Sequence, residues 1–195
     1  MKIIKYISLS IITVISISCK GQNNVIDLLG RGDSGPMNIK DGSIYLKDIS
    51  NIYMPFVGSW KWSSGNQEMI LVLTKQIKYH YNSYPQNYYE DRLVGYYIYK
   101  ENGVVIADTS NENLLTDNGI SVSFYSHKGT LKVSTAMFID VKKEKMISVD
   151  LEMLSPTQMK FNGEIEQHSS YVNGNKQKTL YSGSTFPLEM VFTKR

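Results

Sequence analysis

The chain has 195 residues, 42% hydrophobic and 20% charged, ordinary figures for one globular domain with a real core. Its formal charge is +3, and Lys2 and Lys5 fall in a segment read below as cleaved, which leaves 19 basic against 18 acidic residues. That balance gives no basic field for nucleic acid and no acidic tail, and a single cysteine excludes an intrachain disulfide and a cysteine-based zinc site.

The N-terminus carries an address. Lys2 and Lys5 precede an apolar run, Tyr6–Ser18, about the length of a signal-peptide core and too short to span a bilayer. It ends Ser16-Ile17-Ser18-Cys19, and a small residue before a lone cysteine there resembles a bacterial lipobox, with Ser16 standing where an aliphatic residue is usual. Residues 1–18 read as a lipoprotein signal peptide, Cys19 as the acylated residue and 19–41 as a flexible tether. Lys20-Gly21-Gln22 carries no acidic cluster, which favours the periplasmic side of the bacterial outer membrane over the cell surface. Arg31-Gly32-Asp33 reads as a chance tripeptide.

Residues 42–195 read as one all-β domain. Residues 41–55 read as a turn and a short extended piece ended by Pro55, with Ile44 and Leu46 opposite Tyr45 and Lys47 in parity, which suits an edge strand or a lid segment. In Phe56–Trp62, Phe56, Gly58, Trp60 and Trp62 share one parity and so one face. Ser63–Asn66 is turn chemistry, and the apolar Met69–Thr74 completes a hairpin. Ile77–Tyr84 predicts a further strand stopped by Pro85, and Asn87–Asp91 a polar aromatic connection. Arg92–Glu101 predicts a strand bent or bulged at Gly95, joined through Asn102-Gly103 to Val104–Ile106. Residues 108–118 hold one helical turn capped by Ser110.

Four alternating strands follow over 120–126, 131–139, 145–153 and 157–168, with Val122, Phe124, Val133, Met137, Ile139, Val149, Leu151, Met159 and Phe161 among the inward set. A polar excursion over 169–186, with a small hairpin about Asn173-Gly174, leads to a closing strand ending at Arg195. About ten strands with short turns and no long 3.6-residue period predict an antiparallel all-β meander. A lipocalin-like barrel is preferred to a sandwich, because neighbours in sequence pair and closure removes the open edges.

Two resemblances bear on this reading. The Gly58-x-Trp60 opening strand resembles that of lipocalin-like barrels, which implies that Trp60 closes the barrel floor under a late basic residue, Lys194 or Arg195. Gly42-Ser-Ile-Tyr45-Leu-Lys47-Asp48, then Phe56-Val57-Gly58-Ser-Trp60, Leu71-Val-Leu73-Thr-Lys75, Tyr88-Tyr89-Glu90-Asp91-Arg-Leu93-Val-Gly95-Tyr96 and Phe192-Thr-Lys194 resemble an uncharacterised family of small bacterial lipoproteins. Ser59 stands where that family commonly has Thr. The likeness implies fold and address, with Gly58, Trp60, Asp91, Gly95 and Arg195 as structural signature residues; it transfers no activity.

Candidate chemistry is sparse. Glu164, Glu166 and His168 share a parity that could hold a divalent metal, but Met159, Phe161 and Ile165 occupy the other, so a solvated strand face is the better reading. Glu90 and Asp91 point apart in an extended segment and make a poor catalytic dyad, and the family resemblance implies a structural Asp91 that accepts backbone hydrogen bonds at the turn into Arg92; His80 and His127 stand without a nucleophile motif. Tyr79, Tyr81, Tyr84, Tyr88, Tyr89 and Tyr97 are a dense set that could form a binding surface for polysaccharide or another envelope protein.

No cofactor is expected. The leading expectation is a lipid-anchored, non-catalytic binding module for a small apolar ligand, with Met137, Met153, Met159 and Met190 suiting an adaptable pocket. An interaction domain using the tyrosines is the alternative, and a metal-dependent hydrolase ranks last.

Overall fold

The computed structural model describes residues 24–31, 37–116, 120–126, 132–165, 169–172, 175–178 and 183–195. Among them are the strands β1 (Asn24–Asp27), β2 (Ile44–Lys47), β3 (Gly58–Ser64), β4 (Gln67–Ser83), β5 (Gln86–Glu101), β6 (Val104–Asp108), β7 (Val122–Ser126), β8 (Lys132–Asp140), β9 (Lys145–Ser155), β10 (Gln158–Ile165), β11 (Ser169–Val172), β12 (Asn175–Lys178) and β13 (Glu189–Lys194). Eight of these, β3, β4, β5, β7, β8, β9, β10 and β13, pair antiparallel in chain order, and β13 returns to β3. The fold is therefore a closed eight-stranded up-and-down barrel, consistent with the lipocalin-like expectation. β6 shares one edge of β5 with β7, and β11 and β12 form a separate hairpin.

The β4–β5 hairpin is much longer than the barrel needs. Its inner part, Gln67–Gln76 with Arg92–Glu101, belongs to the barrel wall. Its outer part, Tyr79–Ser83 with Gln86–Glu90, projects as an arm. The segment Asn87–Asp91, expected as a connection, is strand, because cross-strand ring pairs favour continuing the ladder: Tyr81 stacks on Tyr88 at 4.8 Å and His80 on Tyr89 at 4.4 Å. A bulge between Gln76 and Tyr79, with Lys78 at φ 52°, marks the bend from wall to arm. β2 adds to the arm in parallel, through Tyr45↔Tyr89 and Leu46↔Glu90, and β1 adds to β2, also in parallel. β1 lies inside the stretch read as tether.

Among the described residues inward positions follow the alternating pattern within the barrel wall, with a switch in β8. A bulge between Thr135 and Phe138 turns Phe138 into the core where alternation alone points Ile139 inward; Ile139 is half-buried. Nor does 108–116 form a helical turn. The Asp108 and Asn113 side chains accept the backbone N–H groups of Ser110 and Leu115, a local alternative to helix.

The interior is filled by rings. Trp60, Tyr97, Tyr99, Phe138, Phe161, Phe186 and Phe192 are buried, and Phe138 meets Tyr97, Phe161 and Phe186 with centroids 5.1, 5.3 and 5.7 Å apart. Phe186 comes from the segment leading into β13, which covers the end of the barrel where β5 and β8 finish. Asp140, fully buried, holds that segment by accepting the Thr185 N–H at 2.7 Å and its hydroxyl at 2.8 Å. The segment 48–57, with buried Tyr53 and Phe56, covers the opposite end. An eight-stranded barrel is about wide enough for its own side chains to fill, and this one is used that way.

Gly95 sets the distance between β4 and β5. A Cβ there would stand 2.0 Å from the Val72 carbonyl oxygen, a backbone atom that moves only with its strand. Gly95→Ala is expected to lower unfolding free energy by about 3 kcal/mol, read as a fall in the urea midpoint at unchanged slope; an unchanged midpoint would show that the two strands part easily.

Candidate functional site

Of the sequence signature residues, Gly58, Trp60, Asp91 and Arg195 gather at the end of the barrel from which the arm departs, in two sites, while Gly95 stands in the wall between β4 and β5. The first is the floor. Trp60 is fully buried and donates its indole N–H to the Phe56 carbonyl at 2.7 Å. The ammonium of Lys194 sits 5.1 Å from the Trp60 ring centroid and 3.5 Å from the Pro55 carbonyl. Gly58, at φ 132°, leaves room for this: a Cβ would stand 3.2 Å from Lys194 Cε. The late basic residue over the tryptophan is thus Lys194. Arg195 is exposed and joins the floor through its backbone, its N–H bonding the Ser59 carbonyl at 2.9 Å. Beside Lys194 lies a groove of about 440 Å³ between Pro55 and the β9–β10 turn, lined by Met153, Leu154, Ser155 and Pro156.

The second site is a buried ionic network. Asp48 accepts the N–H of Ile52 at 2.7 Å and that of Tyr53 at 3.4 Å, shaping the covering segment. Lys75 pairs with Asp48 at 2.7 Å and approaches Asp91 at 4.0 Å. Asp91 accepts the Tyr45 hydroxyl at 2.6 Å, the Asp48 N–H at 3.1 Å and the Lys78 N–H at 2.8 Å. It therefore ties β2, the arm's bulge and β5 together, the backbone-accepting part expected of it, though with long-range partners. Arg92 bonds Gln76 at 2.5 Å and lies 3.5 Å from the Tyr79 ring centroid. Glu90 is buried, bonding Arg31 at 3.3 Å and the Tyr88 hydroxyl at 3.2 Å. Every carboxylate here has protein partners, and through them the network positions β2, the covering segment, the arm's bulge and β5.

The tyrosines divide. Tyr88 and Tyr97 are buried and contribute no surface; Tyr97 is a barrel residue whose hydroxyl donates to the Ile139 carbonyl at 2.9 Å. Tyr79, Tyr81 and Tyr89 are half-buried along the arm, and Tyr84 at its tip is fully exposed. Of the metal candidates, Glu164 is exposed beside a polar groove with Asp150 and Asn162, while Glu166 and His168 lie outside the described residues, as do Cys19 and His127. Among the described residues no three of His, Cys, Asp or Glu come together as metal ligands. Of the methionines, Met159 and Met190 are buried in the core and Met153 is half-buried; the side chain of Met137 lies outside the description.

Sequence reasoning missed Asp140 and the pairing of Lys75. Asp140 opens the run Asp-Val-Lys-Lys-Glu-Lys, and an aspartate before a turn, bonding backbone two and three residues on, was the available signal.

A comparison with protein families settles membership. The chain belongs to a family of unknown function (DUF6705). The family's pattern matches residues 1–195, so the floor and the ionic network both lie inside it. No curated protein and no solved structure matches the chain.

Two expectations follow from the network. Asp48→Asn removes the charge facing Lys75, which is mostly buried; a loss of about 3 kcal/mol is expected in urea unfolding, and the double variant with Lys75→Met should recover much of it. Equal losses in single and double variants would contradict an ionic role. Burial holds the Glu90 carboxyl above its ordinary 4.5, opposed by Arg31 and the Tyr88 hydroxyl. The folded protein therefore binds this proton more tightly than the unfolded chain does. The Glu90 contribution is fully present below pH 4.5 and is lost as pH rises through the raised value. Stability measured from pH 4 to 7 should accordingly fall less steeply in Glu90→Gln; parallel profiles would mean that Glu90 does not set the slope.

Proposed function

We propose that this protein is a lipid-anchored, non-catalytic binding module of the bacterial cell envelope, carrying a small apolar ligand outside its barrel, in the floor groove beside Lys194. The observation that carries the reading is that groove, whose walls are supplied by Pro55, Met153, Leu154 and Pro156, with Leu154 half exposed. Its size, about 440 Å³, falls in the range of about 300–1,000 Å³ typical of small-ligand sites. The interior is occupied by the ring cluster, so the usual lipocalin-like location inside the barrel is not the one proposed. The anchored address is supported by the positive start, the short apolar run and the lone Cys19.

A second reading has its own observation. The arm extends past the barrel wall with Tyr84 fully exposed at its tip, a surface suited to contacting polysaccharide or another envelope protein.

One experiment separates them. Full-length protein purified from bacterial membranes is examined by native mass spectrometry. The expected result is a covalent acyl increment on the peptide containing Cys19 and a discrete non-covalent adduct that is lost in Leu154→Asp. A clean protein mass, with retention on glycan arrays that Tyr84→Ala abolishes, would replace the ligand-carrier reading with the second.

A further inference from the structure

We propose that the floor groove selects a single-chain amphiphile with an anionic head, and that the Lys194 ammonium receives that head. The inference rests on the apolar-ligand reading above and adds the chemical class. An ammonium carries three N–H donors. For Lys194 one points to the Pro55 carbonyl at a long 3.5 Å, and one side of the group rests on the Trp60 ring. No carboxylate pairs with it among the described residues. Lys75, by contrast, pairs with Asp48, Lys61 with Glu68 at 2.5 Å and Lys132 with Asp150 at 2.7 Å.

Lys194 is also half-buried, and it is a wall of the groove rather than a neighbour of it. A cation at the edge of apolar surface, with donors to spare, complements a molecule whose charge is negative and whose remainder is hydrocarbon. Gly58 is part of the arrangement. Its missing side chain lets the lysine stem lie against β3, which fixes the ammonium at the groove mouth instead of leaving it on a mobile stem. The groove is at the small end of ligand sites, which fits one chain and not two. Carboxylate and phosphate heads share this chemistry, so a fatty acid and a phosphate-headed single-chain lipid are the two sources to separate.

The full-length protein, labelled with ¹³C at the lysine ε carbons, is titrated with decanoate, decyl phosphate and decanol. Lys194→Arg identifies the Lys194 resonance by its disappearance. The expected result is that both anions, or one of them, move that resonance and decanol does not, with the tighter anion naming the source. Lys194→Gln should weaken the anions about tenfold and leave decanol unchanged, and Leu154→Ser should weaken all three. Should Lys194→Gln fail to fold, the wild-type resonance decides alone. Decanol binding as tightly as the anions, with no response from Lys194, would overturn the anionic head while leaving the groove as an apolar site. Binding by none of the three would overturn the groove itself.

Discussion

Lys75 is the cation on which the layout of this end of the molecule depends. It rises from the barrel wall and meets Asp48 of the covering segment, with Asp91 of β5 just beyond. Asp48 in turn shapes the turn that delivers Tyr53 and Phe56 to the core, and Asp91 holds the Tyr45 hydroxyl of β2, the Asp48 backbone and the backbone of the β4 bulge. A buried ion pair is weak evidence of net stability, since desolvation offsets much of the attraction. Its geometry is specific, however. β2, the covering segment and β5 already meet in one apolar cluster through Leu46, Tyr53 and Tyr88, and the shared charges add a directional requirement to that contact.

That specificity explains how a filled barrel can still present a site. Rings occupy the interior, Phe186 and its segment close one end, and segment 48–57 closes the other. Features that could meet another molecule are therefore pushed outward to the margins of the closures, to the groove between Pro55 and the β9–β10 turn and to the arm. The ionic network and the Trp60–Lys194 floor lie on the same side of the molecule, so the element that seals the core also forms one wall of the groove.

Much of the barrel was legible because alternation is a local signal. Each of Ile147, Val149 and Leu151 stands on the buried face its parity demands, and turns such as Asn102-Gly103 announce themselves. Errors arose where a non-local term prevailed. The returning half of the arm, Asn87–Asp91, read as a connection because its polarity is loop-like, yet ring pairing across Tyr81 and Tyr88 keeps it in strand. Phe138 and Ile139 exchange faces at a bulge that no pattern in the sequence marks. Lys194 and Arg195 were equivalent by composition, and only the direction of the last strand separates them. The network was visible as conspicuous letters, Tyr45, Asp48, Lys75 and Asp91, without any sign that they meet, because the contacts cross 16 to 46 positions.

The parallel pairing of β1 with β2 has a mechanical consequence. β1 begins at Asn24, whose N–H bonds the Ser43 carbonyl at 2.6 Å, only five residues after Cys19. Five residues span at most about 18 Å when fully extended. A lipid on Cys19 would therefore hold the domain on a short leash, with the β1–β2 side and the root of the arm turned toward the bilayer. The barrel would ride close to the headgroups in a restricted range of orientations, and pulling it away would first load the β1–β2 ladder, peeling a four-residue strand before any force reached the closed wall.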